Sequence, residues 1–131
     1  MKPIPYGRQT ISQEDIDAVS TSLQSDYLTQ GPTISAFESA FSAYIGSQYA
    51  VAVSNGTAAL HLSVLALGLK PGQKVLTSSL TFVASANCGL YCGAQVDFVD
   101  IDPHTFNMSV VALEKKLIVA KLKGMLPKVV V

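Results

Sequence analysis

The alternation of short apolar runs with helix-patterned segments is the feature of this sequence that most restricts its fold. Apolar runs that predict strands lie at residues 49–53, 74–77 and 95–101, and another begins at Val129. The segments between them carry apolar side chains at three- and four-residue spacing, which is typical of amphipathic helices. Strands that alternate with helices predict a largely parallel sheet with helices on both faces, because parallel strands need long connections.

Polar residues predict where the helices begin and end. Ser12 is the expected N-cap of the first helix, since acidic residues follow it in the first turn. Gly46 is the expected stop of the second helix, and Ser109 the expected cap of the last. The predicted helices are 13–23, one that follows Gly31-Pro32 and ends at Gly46, 57–67, 82–92 and 110–122.

Charge limits the class of partner. Nine basic residues balance nine acidic ones among 131 residues, which argues against nucleic acid or an anionic membrane as the main partner. No apolar stretch reaches the length of about 18 residues that a membrane span needs. The start lacks the basic head and apolar run of a secretory signal, so we expect a cytoplasmic protein.

Charged residues make up 14% of the sequence, against about 25% in typical soluble domains. We therefore expect further chain or a second subunit to cover part of the surface, although a small, very apolar domain is the alternative. The apolar run at Val129 looks like the start of a buried strand, so we expect one domain that is incomplete on its C-terminal side.

Neither the cysteines nor the histidines form a recognisable metal or catalytic pattern. Cys88 and Cys92 lie four residues apart in a predicted helix, where reduced, packed thiols are expected. We expect His61 to be packed or half-exposed and His104 to be solvated. Arg8 could meet a nucleotide phosphate, although a surface arginine is the simpler interpretation. No metal site is predicted.

The segment 51–60, Val-Ala-Val-Ser-Asn-Gly-Thr-Ala-Ala-Leu, combines a predicted strand, a glycine-containing turn and a helix start. Main-chain amides at such a helix start point toward one spot, with the positive end of the helix dipole behind them, and this suits a phosphate. Small residues at Gly56 and Ala58 would let a phosphate approach, and the Thr57 hydroxyl could donate. An ordinary strand–turn–helix connection is the alternative, and the common dinucleotide, P-loop and hydrolase motifs are absent.

The segment 77–87 also follows a predicted strand and so emerges at the same carboxyl edge of the sheet, where open α/β sheets bind ligands. Phe82 begins the predicted helix there, and its ring could stack on a flat cofactor, although a core phenylalanine is the alternative. We expect Thr57, Ala58 and Phe82 to lie together at this edge.

Three motifs together resemble the DegT/DnrJ/StrS-type sugar aminotransferases. They are Ser-Asn-Gly-Thr-Ala-Ala-Leu at 54–60, Thr-Phe-Val-Ala-Ser-Ala-Asn at 81–87 and Val-Asp-Phe-Val-Asp-Ile-Asp at 96–102. Residues 5–8 and 27–32 resemble the start of that family, and the resemblance covers essentially the whole chain in order. It is strongest for members that aminate C4 of UDP-linked 4-keto-6-deoxy-N-acetylhexosamines, as in pseudaminic acid synthesis.

The resemblance implies the large domain of a fold-type I transferase that uses pyridoxal 5'-phosphate (PLP). Residues 1–131 would then form the N-terminal arm and the first part of that domain, a mostly parallel sheet flanked by helices and truncated on its C-terminal side. Gly56, Thr57 and Ala58 align with the turn that holds the cofactor phosphate, and Phe82 aligns with the aromatic that stacks on the cofactor ring.

The resemblance also implies a substrate site that a second subunit of a homodimer completes. Its residues would include Tyr6, Tyr27, Leu28 and Thr29. The expected reaction is transamination of a nucleotide-linked 4-keto-6-deoxy sugar in polysaccharide biosynthesis, with an amino acid, usually glutamate, as donor. Asp100 and Asp102 belong to a recurring motif and are interpreted as turn and cap residues.

The lysine that binds the cofactor, and the acid beside the pyridine nitrogen, lie further along the chain in that family. None of the lysines here has the family's lysine context, so we assign no catalytic residue and expect the 131-residue chain alone to be inactive. Two alternatives are a relative that kept the fold without catalysis and an unrelated α/β module that binds another phosphate ligand.

Overall fold

The computed structural model describes Pro5 and residues 7–131. It divides into two compact units, Met1–Ala52 and Val53–Val131, and each is treated by itself. The helices are α1 (Gln13–Leu23), α2 (Pro32–Ile45), α3 (Gly56–Ala66), α4 (Ala84–Tyr91) and α5 (Val110–Leu122), and the strands are β1 (Lys74–Ser78), β2 (Gln95–Val99) and β3 (Val129–Val130). No helix in this described part is long and apolar enough to cross a membrane.

The first unit contains α1 and α2, and local capping sets their ends as predicted. Ser12 and Asp15 form a reciprocal capping box, in which the Ser12 amide donates to the Asp15 carboxylate at 2.8 Å and the Asp15 amide donates to the Ser12 hydroxyl. Gly46 ends α2 with φ of +69°, a conformation that glycine adopts at little cost. The Glu38 carboxylate accepts the Ala52 amide at 2.8 Å, which ties the end of this unit to α2.

The second unit is built on a three-stranded parallel sheet in the order β2-β1-β3. Val75 pairs with Val96 of β2 on one side and with Val129 of β3 on the other. The helix α4 connects β1 to β2, and α5 connects β2 to β3. The predicted parallel sheet with helical connections is therefore confirmed.

The central strand β1 separates two helical layers. Val75 belongs to a buried cluster on one face with Val64 of α3 and Cys88 of α4, whereas Leu76 points to the opposite face, because successive side chains of a strand alternate. On that second face, Leu76 lines a cavity together with Val119 of α5. The sheet therefore has α3 and α4 on one face and α5 on the other.

The structure differs from the predicted elements in three places. The run at 49–53 forms no strand, because no described segment supplies hydrogen bonds to form a ladder with it, and Val51 is 78% exposed. The strand β2 ends at Val99, since Ile101 makes an isolated antiparallel bridge with Met108 instead. The helix α4 begins at Ala84, two residues later than expected, so Phe82 lies in the turn before it.

Candidate functional site

The first turn of α3 offers two main-chain donors. Asn55 is the N-cap, and its side-chain oxygen accepts the Ala58 amide at 2.9 Å, while its main-chain oxygen accepts the Ala59 amide at 3.1 Å. Among the described residues, the amides of Gly56 and Thr57 have no acceptor. The first turn carries no acidic side chain, so nothing within it neutralises the positive end of the helix dipole. An anion at this point would satisfy both donors and the dipole.

This helix start is also accessible. A Cβ atom placed on Gly56 would meet no atom within 4 Å, and Gly56 is exposed while Thr57 and Ala58 are partly buried. A phosphate group can therefore approach the main chain closely at Gly56. The residues present fit the phosphate of PLP. The sequence reasoning missed the role of Asn55, although an asparagine directly before a helix start is a recognised capping signal.

Phe82 presents its ring to solvent. Its side chain is 73% exposed, so within the described structure it is not the core residue that was the alternative interpretation. The main-chain oxygen of Phe82 accepts the Ser85 amide at 3.0 Å, which joins the turn to the first residues of α4. An exposed aromatic ring on such a turn has a free face on which a flat ligand can stack.

The two helices that follow these motifs pack against each other on one face of the sheet. The rings of His61 on α3 and Tyr91 on α4 lie 5.2 Å apart in an edge-to-face arrangement. On the same face, the Thr77 hydroxyl near the end of β1 is fully buried and has no hydrogen-bond partner among the described residues. Such groups are normally paired, so an unpaired hydroxyl near the carboxyl end of β1 indicates an additional polar group or water there.

The predicted substrate residues lie in the first unit or outside the described residues. Tyr6 is outside them. Tyr27 and Leu28 are 63% and 69% exposed, and Thr29 is also exposed, in the connection between α1 and α2. A Cβ atom on Gly31 would lie 2.7 Å from the Tyr27 Cβ, so this connection requires glycine at position 31.

The remaining candidates behave as structural residues. Asp102 accepts the His104 amide at 2.8 Å and the Thr105 amide at 3.0 Å, and these bonds lower the pKa of its carboxyl; this fits the predicted turn role. Cys88 and Cys92 are buried, unbridged thiols, as predicted, and burial raises the pKa of Cys88. Within the described residues, no group of three or more His, Cys, Asp or Glu side chains could hold a metal ion.

Comparison with known proteins gives a consistent result. A model of the DegT/DnrJ/EryC1/StrS aminotransferase family matches residues 9–128. The chain is 47% identical over 97 residues to the GDP-perosamine synthase of Caulobacter vibrioides. It is 46% identical over 98 residues to the UDP-4-amino-4,6-dideoxy-N-acetyl-beta-L-altrosamine transaminase of Campylobacter jejuni. These alignments cover 74% and 75% of this chain but 26% of each relative.

A solved structure supports the fold. It is a protein of Streptococcus pneumoniae, assigned as a sugar aminotransferase and determined in its PLP form, which is 32% identical with a TM-score of 0.76. The match covers 86% of this chain and 28% of the solved one, so the chain spans less than a third of the proteins it resembles. The likeness confirms the predicted fold class, the parallel sheet and flanking helices of a PLP-dependent aminotransferase.

Proposed function

Because the chain belongs to the DegT/DnrJ/EryC1/StrS aminotransferase family, we propose that its second unit holds the phosphate and one ring face of PLP in a sugar-nucleotide aminotransferase. When bound, the cofactor supplies an electron sink for the transfer of an amino group. The observation that supports this role most directly is the start of α3, where two amides lack acceptors beside open space. There the Gly56 and Thr57 amides bind the phosphate, and the Thr57 hydroxyl adds a third donor.

In this proposal, Phe82 supplies the ring face. It lies four residues after the end of β1 and two residues before α4, so it lies at the carboxyl end of the strand. Because α3 packs against α4 on one face of the sheet, we assign the start of α3 to the same edge. Gly56, Thr57, Ala58 and Phe82 then form one site, with the phosphate at the helix start and the pyridine ring against Phe82.

The substrate we propose is a nucleotide-linked 4-keto-6-deoxy sugar, with glutamate as the amino donor. A UDP-linked N-acetylhexosamine, as in pseudaminic acid synthesis, is our choice, and a GDP-linked sugar is the alternative, since relatives of both kinds are similarly close. The exposed Tyr27, Leu28 and Thr29, together with Tyr6, contribute to the sugar-nucleotide site. The enzyme would act in the cytoplasm as a homodimer.

A proline substitution tests the phosphate site without disturbing α3. Proline is tolerated at the first residue of a helix, and Asn55 before it is extended, with φ of −169° and ψ of 170°, and so avoids the helical conformation that a following proline disfavours. Gly56→Pro therefore removes one amide donor and leaves the helix intact. The measurement is the dissociation constant of pyridoxamine 5'-phosphate, which needs no lysine, followed by its fluorescence.

We expect Gly56→Pro to weaken binding about tenfold or more, since a hydrogen bond to a charged group contributes roughly 1.5–3 kcal/mol. The matched control is Val110→Pro, which makes the same change at the first residue of α5, after the extended Ser109. The control should leave the affinity within about twofold. Equal affinity in Gly56→Pro and wild type would refute the site. Inorganic phosphate bound as tightly as pyridoxamine 5'-phosphate would instead show that the start of α3 binds phosphate with no contribution from the cofactor ring.

A further inference from the structure

The turn that carries Phe82 is held by a side-chain pair in addition to its main-chain bonds. The hydroxyl oxygens of Thr81 and Ser85 lie 3.1 Å apart, within hydrogen-bonding distance. On the strand side, the Ser79 amide donates to Val99 of β2 at 3.0 Å. Phe82, with its exposed aromatic ring, lies between Ser79 and Ser85, the two ends held by these hydrogen bonds. The pair thus closes a short loop around Phe82.

This pair does not act as an ordinary helix cap. A capping side chain accepts one of the free amides in the first turn of its helix, but the cap position of α4, Val83, makes no side-chain bond of this kind. The Thr81 and Ser85 hydroxyls instead pair with each other. The pair therefore restricts the main-chain conformation between Thr81 and Ser85 and does not satisfy the free amides of α4.

The direction of the Phe82 ring depends on that main-chain path. The ring is 73% exposed, so few protein atoms around it restrict its orientation. A stacking contact depends on the separation and offset of the two rings, and an aromatic that is already oriented before binding loses less entropy than a mobile one. Fixing the turn would therefore tighten binding of a flat ligand without adding a contact to it.

We propose that Thr81 and Ser85 are positioning residues that orient Phe82 for stacking on the cofactor ring. The inference rests on the proposed function. It assigns to these two hydroxyls a role in cofactor affinity that acts through Phe82, with no contact of their own to the ligand.

The test is a double-mutant cycle read by the dissociation constant of pyridoxamine 5'-phosphate. Thr81→Val keeps the shape of the side chain and removes the hydroxyl, whereas Thr81→Ser keeps the hydroxyl. Each is measured with Phe82 and with Phe82→Leu, and circular dichroism confirms folding. We expect Thr81→Val to weaken binding about fivefold with Phe82, the equivalent of one lost hydrogen bond, and less than about twofold with Phe82→Leu.

The rescue variant and a second removal sharpen the result. Thr81→Ser should bind within about twofold of wild type, and Ser85→Ala should repeat the loss seen in Thr81→Val. Ser85→Ala replaces the first measurement if Thr81→Val does not fold. An equal loss with and without Phe82, or no loss at all, would overturn the inference and leave the proposed function standing. Absence of saturable binding in wild type would overturn both.

Discussion

Gly89 determines how closely α4 approaches the sheet. It is buried in the last turn of the helix, and a Cβ atom placed on it would lie 3.1 Å from a methyl carbon of Val75 and 3.1 Å from one of Val96. Ordinary van der Waals contacts between carbons begin at about 3.5 Å. Gly89→Ala therefore requires α4 to move away from β1 and β2, or the two valines to shift, by a few tenths of an ångström.

Two opposing effects decide the sign of the change in stability. Alanine is favoured over glycine inside a helix by about 1 kcal/mol, which would stabilise the folded chain. Overpacking of a close-packed core costs about 1–3 kcal/mol. The upper half of that range applies here, because Val75 is fully buried and a β-branched side chain has little rotamer freedom. We therefore expect a net destabilisation of about 1 kcal/mol.

Urea unfolding followed by circular dichroism measures this change. Gly56→Ala is the matched control, because Gly56 is also a helical glycine but has no neighbour within 4 Å, and it should not destabilise the chain. Val96→Ala should partly relieve the crowding, so the double variant should be more stable than the sum of the single changes predicts. A Gly89→Ala variant more stable than wild type by about 1 kcal/mol would refute this reasoning. It would show that helix propensity alone sets the change in stability and that the space between α4 and the sheet accommodates a methyl group.

Three further predictions concern charge, lysine chemistry and association. The hydrogen bond from Lys116 lowers the pKa of Asp97 below its ordinary 3.8. The ion pair therefore stabilises the fold fully above pH 3.8. This stabilisation is lost as the pH falls through the lowered pKa of Asp97. The effect is small because both side chains are partly exposed. We expect the melting temperature of Asp97→Asn to differ less between about pH 6 and about pH 3 than that of wild type. An equal difference in the two proteins would contradict this. Borohydride reduction after incubation with PLP should label no single lysine stoichiometrically. Some of the described lysines lie along or just after α5, and the others lie on the amino-terminal side of β1 and β3, away from the carboxyl edge of the sheet. One labelled lysine that supports turnover would overturn this prediction. Sedimentation should show association that increases with concentration, since α2 exposes several large apolar side chains, and a strictly monomeric chain would count against the proposed homodimer.

Local signals in the sequence predicted the features that depend on neighbouring residues. The capping box at Ser12, the left-handed Gly46 and the cap at Ser109 set their helix ends correctly, because a cap bonds to amides or carbonyls within a few residues. The alternation of apolar runs with helices predicted the parallel sheet for a different reason: parallel strands need long connections, and a helix between two strands supplies one. The family motifs fixed the order of the segments that carry the candidate site.

Features that depend on distant partners were decided by the tertiary structure. The run at 49–53 has the composition of a strand, but a strand exists only where a second segment supplies its hydrogen bonds, and no described segment does so for this run. The ion pair between Asp97 and Lys116 joins residues 19 apart in sequence, and no local sequence pattern predicts it. The exposure of Phe82 likewise depends on where α4 begins and what packs around the turn. Sequence determines which bonds a segment can make, whereas the packed fold determines which partners are present to make them.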